Sequence, residues 1–378
     1  MRLALCIFLL LSSANIIGQS TLFDSIKTLV FDESYEEAIA ILDTCSSEKC
    51  NYTRADLNYR LGNYTHPKEN LGHFTEHPEY RFSANKILAR IYESELNYPK
   101  AIKHNIVLSY IDSSNFIHHR KLGKLYSNAG YTLEALKAFN TALDMNSSDL
   151  STLTSLAELN FSLSQTELAD SIIHLAHTID SSNIKVQLIR AKIFYKQKEY
   201  KEVAGTLGYI KGRIDLDDYF SKIYGYSLVK IDSFEKAKYT LHKVLLNDPD
   251  AESVHYYLGL AYENTDEPET ADFHFSRAIE SGISKQIPLY YKKIARIAEK
   301  DKKWQKAIKH YRKSLEYKND PEVLFMLALA TDNYYKDKSI AVKYYNKYLE
   351  AGHPNKEWNT YSLQRKKYLK EIAFLKSN

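Results

Sequence analysis

One spacing governs what this chain can become. Ala101, Ala135, Ala169, Val203, Ala237 and Ala271 stand 34 residues apart; Ala307 follows 36 later and Ala341 another 34. Twelve residues before most of these stands a second small residue: Ala89, Gly123, Ala157, Ala191, Gly225, Gly259 and Ala295. Larger side chains follow four after, as at Phe139, Ile173, Leu207, Leu241, Phe275 and Tyr311. Ala142, Ala176, Val244 and Ala278 come seven after. Offsets of four and seven lie on one face of an α-helix. A period of this length predicts stacked copies of one helical hairpin, none able to bury its apolar face alone.

Composition agrees. The chain has 378 residues with only 12 Gly and 8 Pro, well under average usage of about 7% and 5%. Few breakers leave little loop on which to build an active site. Each unit is expected to be two antiparallel helices of about a dozen residues, here termed A and B. Gly259 and Ala271 are expected to face each other where A and B approach closest.

The stretch YYLGLAYENTDEPETADFHFSRAI, Tyr256–Ile279, carries Leu258, Gly259 and Tyr262 on helix A, then Ala271, Phe275 and Ala278 on helix B. In this it resembles the tetratricopeptide repeat (TPR) family, over about residues 22–350. Val203 in place of Ala, and Arg190 in place of the helix A Leu, depart from the pattern. The resemblance implies an all-α, right-handed superhelical solenoid of antiparallel helix pairs. Residues 20–97 are expected to form N-terminal TPR-like and irregular helical units, the phase being lost between Asn51 and Pro78. Residues 80–350 are read as the repeat array. At 351–378, Leu363, Tyr368, Leu369, Ile372 and Leu375 recur near helical spacing, as a C-terminal capping helix requires.

The first residues, MRLALCIFLLLSSANIIGQS, combine Arg2 with an apolar run from Leu3 to Leu11. That is the layout of a secretory signal peptide over 1–19, cleaved near Gly18 or Gln19. Cys6 sits inside the apolar run, which argues against a lipoprotein. The run is shorter than the ~20 residues of a comfortable span, so the mature chain is expected to have no transmembrane segment and to be exported: periplasmic, envelope-associated or extracellular. Cys45 and Cys50 then remain as an even pair, expected to form a disulfide.

No Gly-x-Ser-x-Gly elbow, phosphate-binding loop, His-Glu-x-x-His or dinucleotide fingerprint occurs. No catalytic residue, metal site or cofactor is expected. The nearest approach to a metal pair is His73 and His77, four apart, with His66, Glu69 and Glu76 close by; exposed histidines in an irregular segment explain it better. The sequons at Asn51, Asn63, Asn146 and Asn160 are read as chance.

In TPR proteins helix A lines the inner groove, at three before the small residue, one after it, and four to five after it. The resemblance places there Lys86 and Arg90, Arg120 and Lys124, Lys192 and Tyr195, Lys222 and Tyr226, Tyr256, and Lys292 and Arg296. Thr154, Glu158, Leu188, Lys196, Lys230, Glu263 and Lys300 complete the set. The position after the small residue is never Asn, so a carboxylate-clamp activity toward chaperone tails is not implied. Arg120 and Lys124 are expected to stand clear of the packing between repeats. From 284 to 378 the chain holds 22 Lys+Arg against 10 Asp+Glu, which gives the last third a basic surface. A basic, tyrosine-rich groove suits a protein or peptide partner, acidic ones included; nucleic acid is disfavoured by export. The expected function is an exported, non-enzymatic scaffold. A cell-surface polysaccharide-binding protein, or a metal-dependent enzyme built on His73 and His77, are the alternatives. The oligomeric state is left open.

Overall fold

The computed structural model describes residues 19–282 and 285–377; apart from Gln19, the expected leader lies outside them. Every regular element among the described residues is helical. In chain order the hairpins are Gln19–Phe31 with Tyr35–Leu42, Glu48–Arg60 with Thr65–Asn70, Arg81–Ser94 with Tyr98–Ile111, and Phe116–Asn128 with Thr132–Met145. Leu150–Ser162 with Thr166–Ile179, Ile184–Gln197 with Tyr200–Lys211, and Asp218–Lys230 with Phe234–Leu245 come next. Glu252–Asn264 with Pro268–Ser281, Ile287–Lys300 with Trp304–Tyr317, and Pro321–Tyr334 with Ser339–Ala351 follow, and Lys356–Ser377 ends the series.

Local chemistry sets these boundaries. Asn97, Asp149, Asn183, Asp217 and Asp320 cap helix N-termini by accepting a backbone N–H, which satisfies a donor the helix leaves unpaired. Between A and B the chain turns on one left-handed residue: Leu96, Gly130, Ser164, Lys198, Asp232 and Asp266, again 34 apart, then Lys302. After each, the next N–H returns to the carbonyl five residues back, as from Asn97 to Tyr92 and from Glu267 to Tyr262. This closes helix A in the Schellman manner. Only Gly130 adopts that conformation without the side-chain penalty of about 1–2 kcal/mol.

The small residue of helix A has a different partner from the one expected. A Cβ built on Gly259 would meet the Phe275 ring at 2.6 Å. Likewise Gly123 meets Phe139 at 2.5 Å and Gly225 meets Leu241 at 2.4 Å. The void seats the bulky B residue sixteen positions later, rather than letting two small residues touch. Gly259 therefore pairs with Phe275, one helical turn beyond Ala271.

The irregular segment is a hairpin with a broken second half. Thr65–Asn70 passes directly into the 3-10 turn Leu71–Phe74. Leu71 and Phe74 pack with Ala55, Ala84, Ile87, Leu88 and Ile91, so the segment still joins the core of the following repeat. Cys45 and Cys50 are bonded, with Cα atoms 5.9 Å apart.

The chain forms two compact units, one ending at Ser181 and the other starting at Ser182. This division falls inside the stretch read as one array. Within the first, helix Phe116–Asn128 packs on Leu150–Ser162; within the second, Asp218–Lys230 packs on Glu252–Asn264. Neighbouring A helices thus crowd one another and present a common face in each unit.

The last helix caps the second unit on a face that keeps only part of the apolar set. Leu363 and Tyr368 are exposed, while Ser362 and Leu369 are buried. The docked face runs Trp358, Ser362, Arg365, Leu369. Trp358 stacks on Phe325 at 4.6 Å. Arg365 donates to both oxygens of buried Asp332, at 2.7 and 3.3 Å, and Lys338 approaches the same carboxylate at 3.5 Å.

Candidate functional site: the helix A face

The groove positions divide into two kinds. Three residues before the small one, the cations at Arg120, Lys222 and Lys292 are bound to the next repeat. Arg120 donates to both oxygens of Asp149, at 2.8 and 3.0 Å. Lys222 reaches Asp248 at 3.3 Å, and Lys292 reaches Glu322 at 2.5 Å. One residue later the direction reverses: Lys121 pairs with Glu93, and Lys293 with Glu263 at 2.8 Å, both carboxylates lying on the preceding helix A. Adjacent helices are laced both ways. Asp149 also caps its own helix. Burial alone would raise its carboxyl, but hydrogen bonds from Thr152 and Arg120 outweigh that and hold it below the usual range. The expectation that Arg120 stands clear of repeat packing therefore fails, and Lys222 and Lys292 are tied to the next repeat in the same way. Sequence reasoning placed all three on helix A but could not see the acid some 26–30 residues on.

One residue after the small one the cations are differently placed. Arg90 and Arg296 are exposed and make no ion pair among the described residues. Lys192 likewise has no carboxylate partner; its ammonium lies 5.5 Å from the Phe220 ring and 5.8 Å from Tyr219. Lys86, although three before Ala89, is the exception to the first pattern and lies exposed over Phe82, at 6.0 Å. Lys124 donates to Ser151, at 3.1 Å.

Tyrosines knit the face of the second unit together. Tyr195 and Tyr226 meet edge to face at 5.6 Å. Tyr200 meets Tyr226 at 5.4 Å, and their hydroxyls are 3.5 Å apart. Tyr257 lies 4.4 Å from Tyr226. Lys230 sits over Tyr226, at 5.3 Å. Tyr256 turns toward the packing, against Tyr290 at 5.0 Å and Phe275 at 5.9 Å. Burial, with smaller contributions from neighbouring tyrosines, raises the Tyr195 and Tyr257 hydroxyls, so they stay neutral and able to donate. Tyr200 and Tyr257 were missed by the sequence reading. Tyr200 was findable, because it shares the first position of helix B with Tyr98, Phe234 and Trp304 at the repeat period.

His73 and His77 do not share a helix face. His73 belongs to the 3-10 turn, and His77 lies beyond it, stacked on Tyr80 at 4.8 Å and 3.2 Å from Glu48. Among the described residues no group of three or more His, Cys, Asp or Glu is arranged to hold a metal, and no helix is long and apolar enough to cross a membrane.

No family model matches the chain, and no curated protein matches it. Solved structures do. The C-terminal part of a TPR repeat-containing protein from Cytophaga hutchinsonii is 18% identical with a TM-score of 0.50, covering 64% of this chain and 98% of its own. A tetratricopeptide repeat protein from Parabacteroides merdae is 16% identical with a TM-score of 0.46, covering 70% of this chain and 99% of its own. YrrB, a TPR protein with an unusual peptide-binding site, is 17% identical with a TM-score of 0.47, covering 50% of this chain and 97% of its own. The likeness to the Cytophaga hutchinsonii structure, at this identity, speaks for the fold alone, and it agrees with the helix pairs described above: an all-α, TPR-like solenoid.

Proposed function

We propose that this chain is an exported, non-enzymatic scaffold that holds an extended acidic segment of a protein partner along the helix A face of its second unit. The observation that carries this reading is the joined tyrosine group of Tyr195, Tyr200, Tyr226 and Tyr257, with Lys192 on the helix of Tyr195 and Arg296 exposed on a later helix A of the same unit, neither of them in an ion pair among the described residues. Aromatic rings supply rigid contact area with a polar tip. Unneutralised cations favour carboxylates and set the salt dependence. The tyrosine faces would also stack on sugar rings, so a cell-surface polysaccharide is the second reading.

The test begins with a peptide array of acidic, neutral and basic twelve-residue peptides, run beside a glycan array. The acidic set is expected to bind best. The best peptide is then titrated at two salt concentrations against the parent, Lys192→Glu/Arg296→Glu, and Lys137→Glu on an exposed helix B position. The double variant should bind at least about tenfold more weakly, and the control should match the parent. Parental affinity should fall with added salt, since exposed charges are screened within about 8–10 Å. Equal affinities throughout would sink the basic-groove reading, and a glycan-array signal alone would favour the polysaccharide.

Export rests on the apolar run Leu3–Leu11 behind Arg2. N-terminal sequencing of the protein from its native source should begin within a few residues of Gln19. A mature chain starting at Met1 or Arg2 would overturn the cleaved leader.

A further inference from the structure

The hairpin Glu252–Asn264 with Pro268–Ser281, together with the adjoining Phe234–Leu245, buries a histidine group that the helix A face does not use. His255 and His274 are 4% and 3% exposed, and their Nδ1 atoms are 2.9 Å apart. His255 Nε2 lies 2.8 Å from the carbonyl oxygen of Pro249. A carbonyl only accepts, so Nε2 carries the proton and neutral His255 presents a bare Nδ1. His274 must donate to it through Nδ1–H. A single proton thus ties helix A to helix B and fixes both tautomers. Tyr262 stacks on the His274 ring at 5.4 Å, and its hydroxyl meets His242 Nε2 at 2.8 Å.

We propose that the His255–His274 bond is a proton-sensitive latch, and that acidification opens this hairpin ahead of the rest of its unit. A second proton on His255 sets two N–H groups against each other. A second proton on His274 creates a buried cation with no anion bonded to it. The charged neighbour from Phe234–Leu245 is Lys238, itself a cation, lying 4.9 Å over Tyr262. The nearby carboxylates Glu235 and Glu267 are taken by Lys238, at 2.6 and 2.8 Å. His242, on the same helix, is titratable and 5.5 Å from His274. On the remaining side, Asp250 pairs with Arg277 at 2.7 Å.

Burial, then the neighbouring His255 and His242, lower His274 to about 4. The folded state therefore resists a proton that the unfolded state accepts near 6.5. The stabilisation is complete above about pH 6.5, falls as pH drops toward 4, and levels off below that. Linkage makes the opening constant rise about tenfold per pH unit inside this window.

Hydrogen exchange of the full protein at pH 7.5 and 5.0, corrected for intrinsic rates, reads this opening. Opening of 234–281 should rise at least about tenfold relative to Ile184–Gln197 and Pro321–Tyr334, helices of the same unit that hold no histidine. His274→Gln keeps an N–H donor facing His255 but does not titrate; it should retain protection at pH 7.5 and lose most of the acid response. The same acid response in the variant and the parent, or no excess opening in the parent, overturns the latch. Should the variant fail to fold, carbon-13 histidine spectra of the parent decide. A His274 ring neutral down to about pH 5.5 supports the latch, whereas titration near 6.5 with protection of 252–281 unchanged overturns it.

Discussion

Gly259→Leu destabilises the second unit by about 1–3 kcal/mol, the cost of forcing extra carbons into a filled core. The cause is specific: even a methyl at this position falls 2.6 Å from the Phe275 ring. Because each repeat is held by its neighbours, hydrogen exchange should rise on both sides of the substitution, in 218–245 and 287–317. The chain also contains its own compensation. Where helix A carries Ala157 or Ala191, the B position sixteen on carries Ile173 or Leu207, and Gly123 and Gly259 are matched with Phe139 and Phe275, although Gly225 is matched with Leu241 and Ala295 with Tyr311. Gly259→Ala combined with Phe275→Ile should therefore be more stable than Gly259→Ala alone. Chemical denaturation of the four proteins checks this. No rescue by the second substitution, with protection in 218–317 unchanged in Gly259→Leu, would show that the ring seat is not what sets this contact.

Arg365→Ala releases the terminal helix. Asp332 is 5% exposed and depends on Arg365 for two hydrogen bonds. Breaking a buried pair from one side costs about 3–5 kcal/mol because the other charge is stranded. Here about 2–3 kcal/mol is expected, since the Arg365 side chain is 34% exposed and Lys338 remains near the carboxylate. Proteolysis should cut first within 356–377, exposing the apolar end around Phe325, Tyr345 and Tyr348. Leu363→Ser, on the exposed side of the same helix, should leave the cleavage pattern unchanged. Reversed results at the two positions would put the docked face back on the stripe of apolar residues.

Much of this architecture was legible because the repeat period is a packing constraint, and packing leaves its mark at each copy. Ala101, Ala135 and Ala169 are all fully buried. The left-handed turn residue was equally periodic but hidden, since six of its seven occupants among the repeats from Leu96 to Lys302 are not glycine and carry no shared chemistry. The capping helix was found, yet its face was read only in part. Beside Trp358 and Leu369, its docking relies on a charge pair and the small Ser362, and apolar periodicity gives no weight to either of these. For the helix A face, family geometry supplied the positions but not their partners. A cation's availability depends on whether an acid lies at the start of the next helix, and that is a relation between repeats, invisible within one.

That relation has an outcome for how the protein would respond to its surroundings. Arg120 and Lys121 bind repeat to repeat in the first unit, where Arg90 faces water, and Lys222, Lys292 and Lys293 do so in the second, where Arg296 faces water. Ionic strength then acts as one dial on two processes. Brackish conditions would weaken the grip on an anionic guest and also loosen the contacts between the repeats that present it. Dilute conditions would tighten both. Within the second unit, cohesion between repeats and guest affinity would be set together, by charges carried on the same helices.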